Sequence, residues 1–317
     1  MTQLAIIGAG HWGTALAIVA ARARHNVRLW SRDPARINLH DPNVTVTSDL
    51  NEALHDASMI LFAAPSHTAR ELLTAMSPLL SEAAIIVSVS KGIEVETGKR
   101  ISEIAKEVVG SAYPFVCLSG PSFAKEVVAG HPTAIVAASK DSAAARAVQN
   151  DLSFENLRIY TNTDVVGTEL GGSVKNVMAI AAGMTVGLGF GSNSVAALIT
   201  RGLAEITRLA RREGAQIETL MGLAGLGDLV LTCTGSLSRN RFVGEELGKG
   251  KTLAEITASM NEVAEGINTA RAVKKLANRA GLEMPIINEV NAVLYEGKPA
   301  RDAVAELMSR PLREEIH

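Results

Sequence analysis

Aromatic residues are scarce in this 317-residue chain: Phe, Trp and Tyr make up 3% of it, against 47% hydrophobic residues in all and 20% charged ones. The core is therefore expected to be built from Ala, Val, Leu and Ile, in a packed globular protein and not a disordered one. Cysteine is scarcer still. Cys117 and Cys233 make no disulfide framework and show no metal-ligand spacing, which points to two buried, reduced thiols, no metal site and a cytoplasmic setting. An excess of one charge is also missing, the formal net charge being -2 and the pI near 6.4. No global basic field exists to hold a polyanion by counterion release, so nucleic acid is not an expected partner. The first apolar run, residues 4–7, lacks a basic leader and passes straight into glycines, the wrong order for a signal peptide.

A single long charge-free stretch, residues 177–200, has the length to span a bilayer. Its glycines, Gly183, Gly187, Gly189 and Gly191, followed by Ser192, Asn193 and Ser194, would break or hydrate a spanning helix. The expectation is one buried helix, a glycine-rich turn and a second helix, with no membrane association.

The length suffices for two domains that each bury a core. Short β-branched or apolar runs recur at residues 4–7, 27–30, 59–63, 85–89, 115–118, 134–137 and 157–160, with helical patterns between most of them. That alternation marks a parallel sheet with helices on both faces, joined by right-handed crossovers. Past residue 162 the strand signals stop. Leu198, Leu203, Ile206, Leu209 and Ala210 follow a helical period, as do residues 263–279 and the segment 286–294 after Pro285. The Ala-rich stretch 142–148 reads as a surface helix.

Gly8, Ala9, Gly10, His11, Trp12 and Gly13 fit G-x-G-x-x-G directly after the first strand, ahead of a helix of small residues. Gly8 permits the tight turn, Gly10 lets backbone approach a pyrophosphate, and Gly13 lets the helix sit close to the sheet, with the N–H groups of its first turn facing the anion. In this setting the motif predicts dinucleotide binding. The fold class is thus α/β: an N-terminal Rossmann-type, doubly wound, mostly parallel sheet over residues 1–162, followed by an all-α substrate and catalytic domain over 163–317. The second strand ends in Ser31 and Arg32, where an NAD site carries an acidic residue; Arg32 suits the 2′-phosphate of NADP. Asp33 beside it keeps NAD possible, and the plainer alternative for Arg32 is a solvated loop position.

Further along, SKGIE at 90–94, SGPSFAKE at 119–126, GGSVKN at 171–176, GLGDL at 225–229, SRNR at 238–241 and VAEG at 263–266 stand in fixed order. Together with residues 8–17, these blocks resemble the bacterial NAD(P)-dependent glycerol-3-phosphate dehydrogenase family over nearly the whole chain. The resemblance implies interconversion of sn-glycerol 3-phosphate and dihydroxyacetone phosphate, supplying glycerol 3-phosphate for phospholipid synthesis. It implies Lys175 as proton donor and acceptor, a role that needs a pKa well below the usual lysine value. Lys91 matches a second lysine at substrate and cofactor, able to lower the Lys175 pKa by like-charge repulsion. Asp228 matches a carboxylate beside the catalytic lysine, although an Asp in such a turn is more often a local backbone acceptor. Thr232, Ser238, Arg239 and Asn240 match the phosphate-binding group, with Arg239 bridging to the cofactor. Gly120 and Ser122 match substrate contacts on a turn that reads as leading into a helix with Pro121 at an early position. Ala124, Val263 and Glu265 match cofactor contacts, along with Gly8, Gly10, His11, Trp12 and Gly13; by itself Glu265 passes for a solvated helix residue.

The chain departs from the family after the second strand, where only residues 35–43 remain of a usually longer connection, and cover over the adenosine is reduced. His11 stands where the family often has a small residue; it either touches the pyrophosphate or is a partly exposed turn histidine. The rival readings are a β-hydroxyacid or 6-phosphogluconate-type dehydrogenase, which typically shows Lys-x-x-Asn where Lys175 and Asn176 are adjacent here, and a non-catalytic NADP sensor, which would have lost the lysine or the arginine. The apolar helical domain leaves a homodimer possible.

Overall fold

The computed structural model describes residues 2–260, 264–312 and 314–315. Its strands are β1 (Gln3–Ile7), β2 (Asn26–Trp30), β3 (Val44–Thr47), β4 (Met59–Phe62), β5 (Ile85–Ser88), β6 (Phe115–Ser119), β7 (Thr133–Ala138) and β8 (Leu157–Asn162). They form one sheet in the order β3-β2-β1-β4-β5-β6-β7-β8, with every neighbouring pair parallel except β6 and β7. The β6–β7 connection holds only the five-residue helix Ala124–Val128, about 7 Å long at 1.5 Å per residue. That is too short to return the chain to the far end of the sheet, so β7 runs back along β6.

Both faces of the sheet are covered. Leu4 and Ile6 pack with Leu16, Ala17 and Ala20 of the helix His11–Arg22, while Ala5 and Ile7 face Leu54, Leu73 and Met76 on the other side. A strand buried on both faces reads as a continuous apolar run, which is why β1 and β4 stand out in the sequence. β3 does not, because its four residues, VTVT, alternate apolar and polar at the sheet edge. From β1 the chain winds outward through β2 and β3, and from β4 outward the other way. The switch point between β1 and β4 opens a crevice beyond their carboxyl ends.

After β8 the described chain is helical. The helix Val165–Gly187 runs through the middle of this half and is buried along nearly its whole length. Asp164 caps it, accepting from the Gly167 N–H at 2.9 Å. Leu188, Gly189 (φ +84°) and Phe190 then turn the chain into the helix Ser192–Arg212. Gly183 proves not to be a breaker, as it lies inside the first helix, and Gly187 is that helix's last residue. A Cβ on Gly183 would stand 2.0 Å from the Arg241 carbonyl oxygen, one on Gly244 1.9 Å from that of Ile180, and one on Gly187 2.2 Å from that of Glu245. The helices Val165–Gly187 and Arg239–Gly248 thus touch backbone to backbone along a glycine seam, and this contact sets where Arg239 lies relative to Lys175. The described residues include no helix long and apolar enough to cross a membrane.

Glu169, on the sheet-facing side of the central helix, joins the two halves. Its buried carboxylate accepts from the Ser102 N–H and the Arg100 guanidinium, each at 2.8 Å, and from the Ser102 hydroxyl. Burial pushes the Glu169 carboxyl above the ordinary range, partly offset by Arg100 and Ser102.

Candidate active site

The glycine turn at the end of β1 has the shape its spacing requires. Gly8 sits at φ +115°, and a Cβ there would stand 2.8 Å from the backbone of Ala63, just past β4. A Cβ on Gly13 would meet the Gly8 carbonyl oxygen at 1.9 Å, whereas one on Gly10 would meet nothing within 4 Å and would project into open space. That space is a cleft of about 440 Å³ whose lining includes Gly10, His11, Thr14, Arg36, Asn38, Ala124 and Lys125. A pyrophosphate fits this cradle, because glycine at position 10 keeps it clear and His11 opens a twelve-residue helix whose first N–H groups are unpaired within the helix. Trp12 is partly buried against the core cluster that includes Leu16 and is not among the residues lining the cleft. Ala124 lines the cleft at the start of its own short helix, and Pro121 lies three residues ahead of that helix, not within it. Arg32 is exposed just beyond β2.

The second group of candidates converges on Asp228. Lys175 Nζ donates to Thr232 Oγ1 at 2.6 Å and lies 3.0 Å from Asp228 Oδ1. Lys91 Nζ reaches Asp228 Oδ2 at 2.8 Å and the Gly120 carbonyl at 3.0 Å, and the Ser122 hydroxyl donates to that same carbonyl at 2.9 Å. One carboxylate therefore holds two ammonium groups, one on each oxygen, with Lys175 5% and Asp228 1% exposed. Burial pushes the Lys175 pKa down from 10.5 to about 8; Asp228 opposes the shift and Lys91 adds to it by repulsion. Asp228 is not in a turn. It opens the helix Asp228–Thr234 directly after Leu223–Gly227, which winds as a π-helix. The wider winding of that segment ahead of the helix is a local distortion of the sort found at functional sites.

The remaining candidates are tied in more tightly than their motifs suggest. Thr232 donates to the Asp228 carbonyl at 2.7 Å while receiving Lys175. Ser238 caps the helix Arg239–Gly248, accepting from the Arg241 N–H at 3.2 Å. Arg239 is that helix's first residue and is exposed. Asn240 is buried, donates to Asn176 Oδ1 at 2.9 Å and accepts from the Gly266 N–H at 2.9 Å. Asn176 in turn donates to the Lys91 carbonyl at 3.2 Å. The two asparagines thus lock the Lys91 loop, the central helix and the Arg239 helix into one arrangement. Glu265 is no solvated helix residue, since its carboxylate accepts from the Ser66 N–H at 3.0 Å and from the Ser66 hydroxyl, clasping the loop after β4. Val263 lies outside the described residues. Ser66 carries no signal in the sequence, and for Asn176 the one cue was its place beside Lys175.

Comparison with known proteins agrees with this geometry. The model of the NAD-dependent glycerol-3-phosphate dehydrogenase C-terminus matches residues 164–305, and that of the N-terminus matches residues 3–41 and 37–145, a break at the connection between β2 and β3. A glycerol-3-phosphate dehydrogenase (NAD(P)+) of Koribacter versatilis is 52% identical over 100% of this chain and 99% of its own, in an alignment of 335 positions. That alignment is longer than this chain's 317 residues, so the relative carries residues absent here. Another, of Citrifermentans bemidjiense, is 49% identical over 99% of this chain and 98% of its own. The crystal structure of glycerol-3-phosphate dehydrogenase from Coxiella burnetii superposes with a TM-score of 0.94 at 39% identity, covering 98% of this chain and 99% of that one. With both halves matched in order, and with a glycine cradle and a lysine pair on one buried carboxylate both present, the chain belongs to the NAD-dependent glycerol-3-phosphate dehydrogenase family.

Proposed function

We propose that this chain interconverts dihydroxyacetone phosphate and sn-glycerol 3-phosphate, with NADP as the main dinucleotide and NAD also used, and so supplies glycerol 3-phosphate for phospholipid synthesis. The observation that carries the reading is Lys175, buried, held by Asp228 and Thr232, and brought to a pKa of about 8. The bound dinucleotide supplies the hydride that C2 of the ketone accepts. Lys175 then gives its proton to the oxygen left negative at C2, and takes it back in the oxidative direction. A pKa near neutrality lets one group serve both directions, since neither protonation state is costly to reach. Lys91 adds positive charge beside that oxygen, and Asp228 orients both ammonium groups. Arg239, at the start of its helix, holds the phosphate of the substrate with charge-assisted hydrogen bonds. Asn240 contributes by keeping that helix in place, as well as through its remaining N–H.

In this reading residues 1–162 are the dinucleotide-binding domain and 163–317 the substrate domain. Membership of the family sets aside the β-hydroxyacid alternative, and a sensor without turnover has no use for a lysine kept near its ionisation point. Two buried free thiols suit a reducing cytoplasm. The apolar side chains of Phe190, Val230, Leu237 and Phe242, each more than two-fifths exposed, suit a homodimer face, to be checked by sedimentation. The assay for the activity is NADPH oxidation on adding dihydroxyacetone phosphate, with 3-hydroxyisobutyrate and 6-phosphogluconate plus NADP as controls. Turnover with the triose phosphate alone supports the proposal, and its absence overturns it.

A further inference from the structure

The abbreviated connection after β2 does more than shorten a loop. Beyond Trp30 the chain makes a small turn in which the Asp33 N–H donates to Ser31 Oγ at 3.2 Å, then one 3-10 turn, Pro34–Arg36, closed by the Ile37 N–H on the Pro34 carbonyl at 3.0 Å. Ile37 and Leu39 pack against the core cluster that includes Leu16 and Val19 of the helix His11–Arg22. Partial burial of these two apolar side chains holds the connection beside the helix, and Arg36, Ile37 and Asn38 share the lining of the cleft with Gly10, His11 and Thr14. Within the connection, Arg36 Nε is 2.8 Å from Asp33 Oδ2, and both side chains are well exposed, at 85% and 53%.

In a doubly wound sheet the adenosine ribose lies at the end of the second strand, and an acidic residue there accepts from its 2′-hydroxyl. Asp33 is placed for that task, but one of its oxygens is engaged by Arg36. We propose that Arg36 determines the cofactor preference of this chain: released from Asp33, it joins Arg32 in holding the adenosine 2′-phosphate, and paired with Asp33 it leaves the other carboxylate oxygen to the ribose hydroxyl of NAD. An exposed ion pair has little net stability, so exchanging it for a phosphate costs little. A phosphomonoester carries up to twice the charge of a carboxylate and takes two guanidinium forks at once. Lys125, also on the cleft lining, adds to the positive field. One segment thereby serves both dinucleotides, with the phosphorylated one favoured.

This inference rests on the cleft being the dinucleotide site, and the experiment separates the two. Calorimetric titration with 2′,5′-ADP and with 5′-AMP isolates the 2′-phosphate from the rest of the cofactor. Arg36→Ala is expected to weaken 2′,5′-ADP by about tenfold or more, the scale of a lost charge-assisted hydrogen bond, with 5′-AMP shifted less than about threefold. Arg36→Lys keeps the charge without the fork and falls between. Asp33→Ala is expected to weaken 5′-AMP while leaving 2′,5′-ADP as tight or tighter. Equal weakening of both probes by Arg36→Ala, or no weakening of either, overturns the role given to Arg36. Gly10→Val, which fills the cradle, should abolish binding of both probes; unchanged binding there overturns the cleft itself.

Discussion

The sheet half of the molecule offers a glycine cradle made of backbone, and the helical half contributes most of a cluster of buried, charged side chains. In the first, Gly8 and Gly13 let the turn, the helix and the end of β4 pack closely, and Gly10 leaves open the space in which peptide N–H groups would meet an anion. In the second, Lys175, Asp228 and Thr232 are withdrawn from water and bonded to one another. A backbone cradle asks only for room and a helix start. A buried ammonium asks for compensation from several directions, because an unpaired buried charge is costly. A cradle of this kind can therefore serve many chemistries, whereas a buried cluster of this kind suits one.

Breaking the second half should leave the first intact. Lys175→Ala is expected to lower kcat about 10² to 10⁴-fold, the range for removal of a general acid, with the NADPH Kd unchanged by fluorescence titration. Gly244→Val drives a side chain into the Ile180 carbonyl and is expected to cost about 3 kcal/mol or more in urea unfolding, the upper range for overpacking. Arg239→Ala should raise KM for dihydroxyacetone phosphate about tenfold or more while moving kcat less, since a phosphate contact remote from C2 acts mainly in binding.

A smaller effect lies in Glu205, whose buried carboxylate accepts from the N–H groups of Ile286 and Ile287 at 2.8 and 3.3 Å. Burial raises its pKa to about 7, the two N–H groups opposing the shift. A carboxyl raised on folding favours the native state below its unfolded pKa, near 4.5, and that advantage is lost as pH rises through about 7. Glu205→Gln removes the dependence, so relative to wild type the variant should gain stability between about pH 5 and about pH 8. A constant difference across that range would contradict the assignment.

What the sequence discloses follows the same division. The cradle is contiguous, so one hexapeptide after an apolar run announces it, and the strands buried on both faces read without periodicity. The edge strand β3 lacks that signature, since its two threonines sit among only four residues. Gly183 and Gly187 look like helix breakers until Gly244 and Gly248 are found against the same helix. The helical site assembles from residues as far apart as Lys91, Lys175 and Asp228, whose meeting depends on how helices dock. Resemblance to a family can name these residues, but the clasp of Glu265 on Ser66 and the asparagine link through Asn176 become visible only in three dimensions.

The central claim, that buried Lys175 carries the proton, is tested most directly by the pH dependence of kcat/KM in both directions. Reduction of dihydroxyacetone phosphate should fall as pH rises through about 8, where Lys175 loses its proton, and oxidation of glycerol 3-phosphate should rise through the same value. Profiles that are flat from about pH 7 to about pH 9.5 in both directions would contradict it.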